Sequence, residues 1–146
     1  MKTDDPARSF LQERGCPDDV VRRGLRGLVE AWERTVREVR AGYSLGLDDY
    51  LNDMDGRQLI EDLFHTVPAA RTPTLAGRVR EADALLRQLL QPARECLWGA
   101  EAAAAHAWTP EKEWWYFQRP KKAGPELMTE LLADDSRKPR TRTHVR

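Results

Sequence analysis

The sequence predicts an all-α protein, a single-domain irregular bundle of about five helices carrying an aromatic segment and ending in a basic tail. Three observations predict it. Apolar residues recur at steps of three and four along two long segments, helix start and stop residues bracket those segments, and no alternating stretch is long enough to build a sheet. The chain of 146 residues fits one domain, divided into a helical part at 1–135 and a flexible basic tail at 136–146.

The elements follow in order. Asp5 before Pro6 reads as an N-cap and first helical residue, and Gly15 as the stop after "ARSFLQER". A second helix begins near Asp18. Val20, Val21, Leu25, Leu28, Val29, Trp32, Val36 and Val39 form its stripe and Gly42 closes it. Gly24 and Gly27 weaken that helix by about 1 kcal/mol each relative to Ala, so the close approach of another helix is their expected use. Next, Leu47, Tyr50, Leu51 and Met54 share one helical face, whereas Leu59, Ile60, Leu63 and Phe64 would fall on the opposite one. A break near Asp55 and Gly56 repairs the phase, with Asp55 and Gln58 as a capping box.

Thr72 and Pro73 open the clearest repeat, Leu75, Val79, Ala82, Leu86, Leu89, Ala93 and Cys96, with a kink or boundary expected at Pro92. The helices starting near Asp18 and Pro73 are the expected centre of the bundle. "AEAAAAHAW" supplies two more turns, Thr109 with Pro110 is a further start signal, and "ELMTELL" forms a last short helix. The expected core is Val21, Leu25, Leu28, Trp32, Val36, Leu51, Leu59, Leu63, Val79, Leu86, Leu89 and Trp98.

Charge bounds the partners. Lysine and arginine number 24, as do aspartate and glutamate, so the whole molecule exerts no net attraction on DNA or anionic membrane. Locally the balance breaks. Asp48, Asp49, Asp53, Asp55, Glu61 and Asp62 stand against Arg57 alone, while Arg137, Lys138, Arg140, Arg142 and Arg146 crowd the tail without an acid. The two blocks can pair within a monomer or across a homodimer. Cys16 and Cys96 form no disulfide framework, no signal-like start precedes the first helix, and no run approaches the roughly 20 apolar residues of a membrane span. The expected setting is cytoplasmic, with no membrane association.

Several chemistries are weighed against plainer roles. Asp49 and Asp53 lie four apart, and with Asp48 or Asp55 they offer a metal-dependent helical hydrolase a carboxylate pair; "READ" at 80–83 is the only crude second set. Acidic helix starts and caps explain the same residues. A calcium loop aligned on Gly56 fails at Leu51 and Gln58. Cys16, His65 and His106 carry no nucleophile or zinc signature, and no cofactor is expected. That leaves "EKEWWYFQRPKK", with Trp114, Trp115, Tyr116, Phe117, Arg119, Lys121 and Lys122. Either helical or extended backbone sends its rings to both sides. The segment reads as a core clamp, as a protein-binding edge, or as a stacking platform for single-stranded nucleic acid in which Trp115, Tyr116 and the basic tail take part, although Glu111, Glu113 and Glu126 oppose a polyanion. The leading expectation is a non-enzymatic protein that binds another macromolecule, most of all a protein partner, as an adaptor, regulator or inhibitor does.

Overall fold

The computed structural model describes residues 5–135, so the tail at 136–146 lies outside the described residues. Its architecture is all-α, with six helices and one short ribbon: α1 Pro6–Arg14, α2 Asp18–Ala41, α3 Leu47–Thr66, α4 Pro73–Leu89, β1 Leu90–Pro92, α5 Ala100–His106, β2 Gln118–Pro120 and α6 Pro125–Asp135. Helix α2 packs most extensively on α4, and on α1 and α3 as well. Of the expected core, Leu25, Trp32, Val36, Leu51, Leu59, Leu63, Val79 and Leu86 are buried, while Val21, Leu28, Leu89 and Trp98 are half-buried against it.

Capping sets the start of α1 as expected. Asp5 Oδ1 accepts from the amides of Ala7 and Arg8, and Gly15 closes the helix in the left-handed region at φ 84°. Gly24 has a use the periodicity did not reveal. It breaks α2 with φ 67° and ψ −160°, a conformation essentially reserved for glycine. The carbonyls exposed by the break are met by α1: Arg8 donates to Val21 O at 3.2 Å from Nε and to Arg22 O at 2.9 Å from Nη2. What approaches Gly24 closely is therefore a guanidinium, with Arg8 Nε 3.5 Å from where a Cβ would stand. Gly24→Ala is expected to destabilise by about 1–3 kcal/mol, measured by urea unfolding, because alanine must hold a strained dihedral pair.

The expected break at Asp55 and Gly56 is corrected. Helix α3 runs unbroken through both, and its two apolar faces, Leu47, Tyr50, Leu51 and Met54 in the first half and Leu59, Ile60, Leu63 and Phe64 in the second, are all buried. Neighbours on several sides make this possible, since α3 packs on α2, on α6 and on a 3-10 turn at Trp114–Tyr116. The first half is exposed at Asp48, Asp49 and Asn52 and the second at Glu61 and His65, so the solvent side shifts along α3 as its neighbours change and the phase reversal needs no break. The start of α3 is tied from afar: Leu47 N donates to Glu130 Oε1 of α6 at 2.9 Å, and any Cβ on Gly46 would collide with the carboxylates of Glu126 and Glu130.

Two further corrections concern the second half. Helix α4 ends at Leu89, three residues before Pro92, and the chain enters β1, which pairs antiparallel with β2 in the register Leu90 to Pro120, Gln91 to Arg119 and Pro92 to Gln118. Ala93 and Cys96 thus leave the helical seam; Ala93 N donates to Phe117 O and Leu97 N to Tyr116 O. Proline suits the end of such a strand, where its missing N–H withdraws no ladder bond. At Thr109 the cap forms, with Lys112 N donating to Thr109 Oγ1 and Thr109 N to Glu113 Oε1, yet only turns and the 3-10 turn follow.

Candidate functional site

Burial sorts the residues of the aromatic segment. Trp114, Trp115 and Tyr116 are inside, at 5%, 1% and 0% exposure, whereas Lys121 and Lys122 are exposed. These three rings belong to the hydrophobic core. The Trp115 ring lies under the Arg57 guanidinium, 4.3 Å from its centroid, and the Trp114 ring under that of Arg87 at 4.6 Å. Tyr116 stacks on Trp108 at 4.1 Å between centroids, and Trp108 on His106 at 4.5 Å. Phe117 is half-buried, and half-buried Arg119 borders a small recess with Arg94, Glu95 and Asp134.

Arg57 is the centre of the polar interior. At 6% exposure it donates from Nε and Nη2 to the two carboxylate oxygens of Asp83, at 3.0 and 2.9 Å, and from Nη1 to Glu61 at 3.0 Å. Trp32 Nε1 completes the Asp83 shell at 2.9 Å. One guanidinium therefore joins α2, α3, α4 and the 3-10 turn. Its ion pairs raise its pKa even though burial, the largest effect, works the other way. Its sequence signal was available, as the lone cation among six acids.

The acidic cluster is engaged piecewise. Asp55 accepts from Tyr116 Oη at 2.6 Å and from Trp98 Nε1 at 3.1 Å, which replaces its expected capping role. Asp53 accepts from Tyr43 Oη at 2.6 Å, and Asp62 from Arg14 and Gln58. Asp48 and Asp49 occupy the first turn of α3, where the helix dipole favours them. Asp83, from the crude second set, is held by Arg57. Among the described residues no group of three or more His, Cys, Asp or Glu side chains stands ready to hold a metal ion.

Burial pushes the Asp53 carboxyl above its ordinary value, Tyr43 pulls it down, Glu38 and Asp49 push it up, and Arg34 pulls it down. A folded pKa above the unfolded one adds stability in acid that disappears as pH rises through the folded value. Ionised Asp53 is therefore a net cost at neutral pH. Asp53→Asn is expected to raise the Tm at pH 7 by a few degrees, with the difference vanishing toward pH 3, as followed by calorimetry across pH; a lower Tm at pH 7 would contradict this account of Asp53.

Cys16, His65 and His106 are not brought to one place. Cys16 lines an apolar cleft with Val20, Leu28 and Leu59, His65 borders a polar cleft with Glu61, Asp62 and Glu113, and His106 rests on Trp108. Burial pushes the Cys96 thiol up to about 11, which makes it a poor nucleophile at neutral pH.

One cleft combines the exposed end of the segment with other elements. About 380 Å³ of open space is lined by Val39, Arg40, Ala41 and Gly42 at the end of α2, Gln88 and Leu89 at the end of α4, and Lys121 and Lys122 beyond β2. Lys121 Nζ donates to Gln88 O at 3.2 Å, and Lys121 N to Leu89 O, so the ribbon fixes where these cations stand. Among the described residues no carboxylate makes a salt bridge to Arg40, Lys121 or Lys122. No family model matches the chain, and no curated protein or solved structure shows significant similarity to it. Nor is any helix among the described residues long and apolar enough to cross a membrane.

Proposed function

We propose that the chain acts in the cytosol by binding another protein, as an adaptor, regulator or inhibitor does, rather than by turning over a substrate. The observation that carries this reading is the cleft of Arg40, Lys121 and Lys122, whose only charged lining residues are cations. The carboxylates that would have to serve catalysis support it from the other side. Asp53, Asp55, Asp62 and Asp83 each receive hydrogen bonds that tie one part of the fold to another. Within the aromatic segment, the buried rings hold the fold and the exposed lysines are the part left to meet a partner.

The reading is tested by affinity capture from native cytosol, with each captured protein then purified and titrated against the chain by calorimetry. A stoichiometric complex with a purified protein is the expected result. Absence of any such complex, together with a rise of several degrees in Tm on adding magnesium, manganese or calcium, would favour the metal-dependent reading instead.

A further inference from the structure

Resting on the protein-binding reading, we infer that the cleft between the ends of α2 and α4 receives an acidic segment of the partner that inserts an apolar side chain. Its rim carries Arg40, Lys121 and Lys122, all exposed. These cations come from two separate parts of the chain and surround one opening, and carboxylates on the occupant complement all three. The lining between them is not charged. Val39 is buried, Leu89 is half-buried, and Ala41 and Gly42 add backbone and a methyl group. One turn before Leu89 on α4, Leu85 is half exposed, at 50%.

The dimensions fit a side chain with its flanking residues. The volume of about 380 Å³ lies at the low end of the range of roughly 300–1,000 Å³ typical of ligand pockets. An apolar anchor supplies burial while the charged rim fixes orientation and speeds encounter, which is how interfaces divide the work between centre and edge. Nucleic acid fits less well. Rings for stacking are absent from the lining, Trp114, Trp115 and Tyr116 being buried, and the chain has no net positive charge to draw a polyanion.

The test is selection of a random twelve-residue peptide library on the full-length chain, followed by anisotropy titration of the enriched peptides. Lys122→Glu and Lys121→Glu/Lys122→Glu are the comparison proteins. The first alters a side chain that makes no hydrogen bond within the described fold, and thermal melts confirm that both are folded. Peptides rich in Asp and Glu around a Leu, Ile or Phe are expected, with affinity falling at least tenfold on the double variant, less on Lys122→Glu, and falling again as salt rises. Enriched peptides of another composition, or acidic ones that bind both variants as well as wild type, would overturn the assignment of this cleft, and the capture experiment then decides the protein-binding reading separately. Failure to enrich any peptide, with tight binding of a thymidine oligonucleotide, would overturn both.

Discussion

The double variant Trp115→Ala/Tyr116→Ala is expected to lose about 5–8 kcal/mol of stability. Truncating one buried aromatic costs about 3–5 kcal/mol, and neighbouring truncations sum to somewhat less than their total because they share one cavity. The structure adds two losses. Arg57 gives up the ring beneath it, worth about 1–2 kcal/mol in a desolvated setting, and Asp55 gives up the Tyr116 hydroxyl. Against a typical total of about 5–15 kcal/mol, that is a third of the stability or more, and all of it at the lower end. Urea unfolding followed by far-UV circular dichroism measures it. A double variant within about 1 kcal/mol of wild type would show that the rings do not anchor the core. Trp115→Phe is the informative control, because the buried indole N–H has no hydrogen-bond partner among the described residues and its removal offsets part of the lost area.

Arg57→Met is expected to destabilise by about 3–5 kcal/mol, since it leaves Asp83 charged, mostly buried and, among the described residues, supported by Trp32 alone. Adding Asp83→Asn should restore at least half of that loss. The amide carries no charge, and its oxygen still accepts from Trp32. Both changes are needed to tell the mechanism apart from simple loss of volume: a methionine similar in length to the arginine stem keeps most of the packing, so a cavity effect would persist in the double variant. Chemical denaturation of wild type, Arg57→Met, Asp83→Asn and the double variant closes the cycle, and additivity of the two single effects would refute the direct coupling drawn here.

How much of this was legible depends on the reach of the interaction. Asp5 with Pro6, Thr72 with Pro73, and the closing glycines at Gly15 and Gly42 act over one turn, and the sequence displays them directly. The stripe from Leu25 to Val39 shows a face because α2 has one. Helix α3 hides its continuity for the opposite reason: different neighbours cover its two halves, so the exposed side moves from Asp48, Asp49 and Asn52 to Glu61 and His65 and no single face persists along it. The ribbon was illegible because its pairing joins residues 90–92 to 118–120, and three-residue strands carry no alternation to read. The segment "WWYFQRPKK" divided at its own chemical boundary, with the rings inward and the lysines outward. Arg40 and Leu89 could not be grouped with those lysines from sequence, because only the fold brings the ends of α2 and α4 to them.

The position of Trp115 beneath Arg57 also sets an order of assembly during synthesis. Helices α1 to α4 contain most of the apolar interior and can begin to associate once residue 89 has left the ribosome. The ring that covers the central guanidinium is more than twenty residues further on, beyond the ribbon's first strand and all of α5. Until it emerges, Arg57 faces water and the second half of α3 lacks one of its neighbours. A nascent chain stalled just after α4 should therefore be a loosely packed, protease-sensitive helical intermediate, and the passage of residues 114–116 should convert it into a resistant one.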